Sequence, residues 1–145
     1  MIRLMTIKDY DEVYETWLSI PGMGFNNLDD SKEGIEKFLS RNPNTCFVAC
    51  EDDKIVGGIM CGHDGRRGYI YHTFVREEYR RRGIGDKLVE TGMKALETEG
   101  IHKVALLVFE KNETGNAFWE KMGFEKRKDV AYRNKFIHEM VRMDT

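Results

Sequence analysis

No stretch of this 145-residue chain approaches the ~20 apolar residues that a membrane span needs, and its first residues do not read as a signal peptide. Cysteine is scarce and odd in number: Cys46, Cys50 and Cys61 all lie in or beside apolar runs. That count supplies no disulfide framework, so reduced core thiols and a cytoplasmic setting are expected. Cys46 and Cys50 lack the spacing of a zinc hook and no histidine cluster lies near them, so no metal site is expected. Charge of one sign is also missing. Twenty-three basic against twenty-five acidic side chains leave a net charge of −2, with no global pull toward nucleic acid or a membrane surface. Repeats, low-complexity tracts and Pro/Gly/Ser linkers are absent, so residues 1–145 are expected to form one domain.

What remains is an ordinary globular composition, 41% hydrophobic and 33% charged. A chain of this length buries roughly 70% of its unfolded surface, enough for a core without staples. Residues 2–5 read as a strand, and residues 9–19 as a helix with Tyr10, Val13, Tyr14, Trp17 and Leu18 at helical spacing. Pro21 and the glycines of residues 21–27 break it. Residues 31–41 read as a second helix with an Ile35, Phe38, Leu39 stripe. The period then changes to strands over 45–51, 55–62 and 69–75, joined by turns at 52–54 and 63–68, where Asp64 and Arg67 read as plain turn residues. A long helix over 83–99 closes on Gly100. Residues 104–109 form a continuous apolar run, expected as a buried central strand. A helix over 114–122 ends at Gly123, and residues 132–143 are expected to supply a last strand. The order gives an α/β (α+β) fold, a mixed and mostly antiparallel sheet with helices on both faces.

The one concentrated basic feature is Arg76 with Arg80, Arg81 and Arg82, which run into Gly83, Ile84, Gly85 and Asp86. This segment follows a strand and opens a helix, whose N-terminus presents unpaired N–H groups and partial positive charge. Glycine admits close approach of an anion, and arginine can grip phosphate with two donors. It is not a P-loop, for no Gly-Lys-Ser/Thr follows, and it lacks the full dinucleotide fingerprint.

Residues 75–85 resemble the acetyl-CoA signature of the GNAT superfamily of N-acetyltransferases, Arg/Gln-x-x-Gly-x-Gly/Ala. Residues 112–124, from Asn112 to Phe124, resemble the family's Asn-x-x-Ala-x-x-x-Tyr-Glu-Lys-x-Gly-Phe element. The two motifs stand about thirty residues apart with a helix and a strand between, and the element order agrees over essentially the whole chain. The resemblance implies acetyl-CoA as the acetyl donor. It implies that the main chain at Phe74 and Val75 holds the acetyl and pantetheine part, and that residues 80–86 hold the pyrophosphate. Asn112 would contact the pantetheine arm unless it serves as a helix cap, and Trp119 would wall the thiol end.

Two departures bear on the chemistry. Trp119 stands where relatives often carry the tyrosine that protonates the leaving thiolate, a task beyond an indole N–H. Gly115 stands at the alanine position. Nor does the strand over 69–75 carry the carboxylate that many relatives use as base. Strict alternation puts Tyr69, Tyr71 and Thr73 on one face and His72 on the other, against the parity of the usual base. His72, with its near-neutral titration range, and Tyr71 as acid or water-positioning group are the catalytic candidates, beside catalysis by positioning through water. Met23, Phe25 and Asn26 are expected to line the acceptor site. The expected reaction moves acetyl to a primary amine, on a small molecule or a peptide N-terminus, in a monomer or homodimer. The rival from another class is a non-catalytic acyl-CoA-binding regulatory module. A nucleic-acid binder is not expected, because no stacking aromatics flank the arginines.

Overall fold

The structure, a computed structural model, describes residues 1–143. Strand β1 (Ile2–Leu4) leads through a short 3-10 turn to α1 (Tyr10–Leu18), then α2 (Lys32–Arg41). A meander follows: β2 (Cys46–Glu51), β3 (Lys54–His63) and β4 (Gly68–Val75). A second 3-10 turn at Glu77–Tyr79 precedes α3 (Ile84–Thr98), β5 (Val104–Leu106) and α4 (Glu113–Lys121). Among the described residues no helix is long and apolar enough to cross a membrane.

The five strands lie in chain order, β1-β2-β3-β4-β5, antiparallel except for the parallel β4–β5 pair. One face packs Val13 and Trp17 of α1 and Ile35 and Leu39 of α2 against Cys46, Val48, Met60 and Phe74. The other packs Leu88, Val89 and Leu96 of α3 against Ile59, Cys61 and Ile70, with Phe118 and Trp119 of α4 at its margin. The expected mixed sheet with helices on both faces is thus the observed one.

Local rules account for the joints. Ser31 Oγ accepts the Gly34 N–H at 3.0 Å and starts α2. Gly34 has no substitute: a Cβ there would collide with the Leu28 and Asp29 carbonyl oxygens, so the loop through Leu28 and Asp29 presses on the helix start. Asp52 and Asp53 both take positive φ, as the tight β2–β3 turn requires. Gly100, at φ 84°, ends α3 while the Ile101 N–H reaches the Leu96 carbonyl at 3.1 Å.

Two sequence expectations fail at the C-terminal half. The apolar run from Val104 is neither central nor long. Only three residues pair, Ala105 is exposed, and the chain leaves the sheet so that Leu107 and Phe109 are 56% and 49% exposed. Residues 132–143 add no strand beside it. Their main chain instead reaches the loop after α1: Met143 N–H donates to Phe25 O, Asn27 N–H to Val141 O, and Asn26 bridges Arg142. Alternating apolar residues make a strand only where an edge accepts them, and this segment spends its donors on a loop. Strand β5 therefore remains the edge of the sheet.

Candidate active site

The turn before α3 winds through two left-handed residues, Arg81 at φ 66° and Gly83 at φ 79°. That path turns successive N–H groups toward the same side, the arrangement that makes an anion-binding concavity. The N–H groups of residues 81–86 donate to no acceptor among the described residues. The Lys87 N–H is the first to close, on Gly83 O at 3.1 Å. The arginines divide their work. Arg80 Nε donates to the Val75 carbonyl at 2.9 Å and ties the turn to the end of β4. Arg82 lies over the Tyr79 ring at 4.9 Å and within 3.5 Å of Glu51. Arg81 is exposed with no partner among the described residues. Arg76 is not part of the patch: it turns inward to Ile55 O at 3.0 Å and Thr16 Oγ1 at 2.9 Å. Gly85 also differs from its expected role. A Cβ there would meet the Phe118 ring at 3.4 Å, so its smallness seats α4 rather than an anion. Asp86 faces Lys121 at 3.4 Å, and Ile84 is half-buried against the α3-face core.

Strand β4 runs on past its partner. Its pairing with β5 ends at Ile70↔Leu106, whereas β4 continues to Val75, so a wedge opens beside residues 71–75. Phe74 is buried at the inner side of this stretch and Val75 half-buried. Past the wedge, Asn112 caps α4 by accepting the Gly115 N–H at 2.8 Å, which ties its Oδ1 to the helix while its Nδ2 has no hydrogen-bond partner among the described residues. Gly115 follows from the cap, since a Cβ there would lie 2.5 Å from Asn112 Nδ2. Trp119 is wedged between the Phe118 and Phe124 rings, at 5.0 and 5.3 Å between centroids.

The strand's parity is not the one alternation predicts. Ile59 pairs with Thr73 and Cys61 with Ile70, so β4 fits one more residue than β3 between these pairs. This bulge sets Tyr71 and His72 both on the α1–α2 face and turns Thr73 to the other. His72 therefore reaches the side it was expected to miss. Its Nε2 lies 2.7 Å from Asp30 Oδ1, with side-chain exposures of 13% and 7%. A carboxylate has no proton to give, so the contact holds the imidazole proton on Nε2 and leaves Nδ1 as the lone-pair nitrogen of the neutral ring. Trp17 packs edge-on to the ring at 4.7 Å, and its buried Nε1 has no partner among the described residues. Tyr71, about half exposed, packs on Phe38 and Tyr69 at 5.4 and 5.1 Å. Burial of its ring, then Asp29 and Tyr132, push its phenol above the ordinary value, so it stays protonated at neutral pH.

The loop residues separate in role. Phe25 is fully buried in the core against Tyr14 and Trp17, so its side chain offers an acceptor no surface. Asn26 organises the loop: its Oδ1 accepts the Leu28 and Asp29 N–H groups, and its own N–H donates to Asp30 Oδ2 at 2.8 Å. Met23 is half-buried on the same core, and Gly24 approaches Phe109, closing the loop toward the segment after β5. Asp30 was not a sequence candidate. Its only local signal is a carboxylate pair before a helix cap, and its partner lies 42 residues away.

Cys46 and Cys61 offer no thiolate: burial pushes the Cys46 thiol up to about 12 and Cys61 higher still, so both stay neutral. Among the described residues no cluster of three or more His, Cys, Asp or Glu side chains could hold a metal.

Over residues 10–124 the sequence matches the acetyltransferase (GNAT) family. An acetyltransferase of Photorhabdus laumondii subsp. laumondii is 35% identical over 142 residues, covering 94% of this chain and 95% of its own. A possible acetyltransferase from Clostridium difficile superposes with a TM-score of 0.72 at 25% identity, over 95% of this chain and 98% of that one. An N-acetyltransferase from Thermoplasma acidophilum, solved in complex with coenzyme A, superposes with a TM-score of 0.71 at 21% identity, over 86% and 89%.

Proposed function

The chain belongs to the acetyltransferase (GNAT) family, and from that premise we propose that it moves the acetyl group of acetyl-CoA to a primary amine, on a small molecule or a peptide N-terminus. The observation that carries the reading is the run of unpaired N–H groups over residues 81–86, opening beside the wedge in the sheet. An array of fixed donors at a helix N-terminus suits a pyrophosphate. Arg80, Arg81 and Arg82 supply positive charge around it. The main chain of Phe74 and Val75 takes the pantetheine arm along the free side of β4, Asn112 Nδ2 meets it from α4, and Trp119 walls the thiol end.

Acetyl-CoA supplies an acyl carbon activated by its thioester. The amine arrives largely as ammonium and must lose a proton before it can attack. That proton leaves to water, and His72 Nδ1 takes the second one, which the nitrogen sheds as it bonds to the acyl carbon. An amide bond forms as the carbon–sulfur bond breaks, and the Tyr71 hydroxyl gives its proton to the departing sulfur. Solvent returns the His72 proton to Tyr71, which closes the cycle. Met23 and Asn26 hold the loop that borders the acceptor. Three free cysteines accord with a reducing, cytoplasmic setting.

The test is thiol release from acetyl-CoA across a panel of small amines and peptides. Release that depends on the amine is expected. Binding of acetyl-CoA with no amine-dependent release anywhere in a broad panel would instead establish the binding module.

A further inference from the structure

We infer that Asp30 is the positioning residue of an Asp30–His72 dyad, fixing the imidazole so that Nδ1 is the nitrogen that accepts a proton. The inference rests on the reading of His72 as the base. Three observations carry it. The contact is short, 2.7 Å, and both side chains are largely withdrawn from water. Every other handle on Asp30 is already held: Oδ2 accepts the Asn26 N–H at 2.8 Å, and its carbonyl accepts the Tyr10 hydroxyl at 2.7 Å. The carboxylate therefore cannot swing away from the ring. Finally, a buried carboxylate needs a donor partner, and His72 is the only side chain among the described residues that hydrogen-bonds to it.

The arrangement has a consequence for function. Asp30 and Asn26 belong to the loop between α1 and α2, while His72 belongs to β4, so the loop bordering the acceptor and the base on the sheet are set by one hydrogen bond. The bulge makes this possible, since plain alternation would point His72 to the opposite face.

Asp30→Asn provides an unusually clean test. The Asn26 N–H can only donate, so the carboxamide oxygen must stay with it. The carboxamide NH2 then faces Nε2, which becomes the acceptor, and the proton moves to Nδ1. The change is isosteric, yet it inverts the tautomer. Nitrogen-15 NMR of the histidine side chains, with His72 assigned through His72→Gln, reads this directly in the protein without any ligand. The wild type is expected as the Nε2–H tautomer and Asp30→Asn as Nδ1–H. In the amine assay kcat should fall about a hundredfold or more, with calorimetric affinity for acetyl-CoA unchanged. A wild-type Nδ1–H tautomer, or the same tautomer in both proteins, overturns the dyad. If Asp30→Asn does not fold, the wild-type spectrum still decides it. A tautomer that inverts while kcat holds would leave the geometry standing and remove His72 from the chemistry, a distinct failure.

Discussion

Arg3 grips Asp9 with hydrogen bonds of 2.9 and 2.8 Å where β1 passes into α1, and the Thr6 N–H adds a third at 2.9 Å. The Arg3 guanidinium, opposed by burial and helped by Thr6, holds the Asp9 carboxyl below its ordinary value. A carboxylate with a depressed folded-state value stabilises the fold fully above the unfolded value and loses that contribution as pH falls through the folded one. Asp9→Asn should therefore cost about 1 kcal/mol at neutral pH, a modest figure because solvent screens the 41%-exposed Arg3. Thermal unfolding should show the gap between wild type and variant closing below the usual carboxylate range; a gap independent of pH would contradict the assignment. The same scale shows what a sequence can and cannot reveal. The start of α3 at Gly83 was legible because a strand-to-helix turn follows from its immediate neighbours. Asp30 was not, because its partner is distant in sequence. Phe25 was misplaced because a loop rich in glycine reads as surface, whereas its ring fills the space between Tyr14 and Trp17.

The elements carry function through their ends and irregularities. Helix α3 begins without a side-chain cap, a cost to stability that makes sense if a ligand satisfies its donors. Hydrogen exchange should find the amides of residues 81–86 fast in the free protein and protected by coenzyme A, with the middle of α3 unchanged. Equal rates with and without the ligand would argue against this end of the helix. Helix α4 is capped by Asn112, and Asn112→Ala should cost about 1 kcal/mol. Gly115→Ala should be nearly neutral in Tm, because the gain in helix propensity of roughly 1 kcal/mol offsets the displaced cap; a loss as large as that of Asn112→Ala would contradict this. The element order was largely legible from periodicity. The bulge at Tyr71 and His72 was not, since one inserted residue in a pairing leaves no mark in a single strand's sequence, yet it reverses which face His72 serves.

At the scale of the molecule, one sheet separates two cores, and both depend on β3. Ile35→Ala on one face and Leu88→Ala on the other each empty a fully buried site and should cost about 2–5 kcal/mol. If residues 1–143 unfold as one unit, calorimetry should show each variant lowering a single shared transition; two separable transitions would divide the domain. The sheet with helices on both faces was legible because apolar periodicity assigns each element a buried side. The fate of residues 132–143 was not, because strand pairing is a relation between two segments and the sequence describes only one.

The central claim is that the turn from Arg81 to Asp86 grips the pyrophosphate of acetyl-CoA. Titration calorimetry of acetyl-CoA into wild type, Gly83→Glu and Gly65→Glu tests it most directly. Both glycines are exposed at positive φ with open space around them, so the two variants share strain and charge and differ in place. Wild type and Gly65→Glu should bind alike, and Gly83→Glu should bind on the order of a hundredfold more weakly or worse, from like charge at the phosphates. Equal affinity in Gly83→Glu, or no binding by the wild type, would contradict the account.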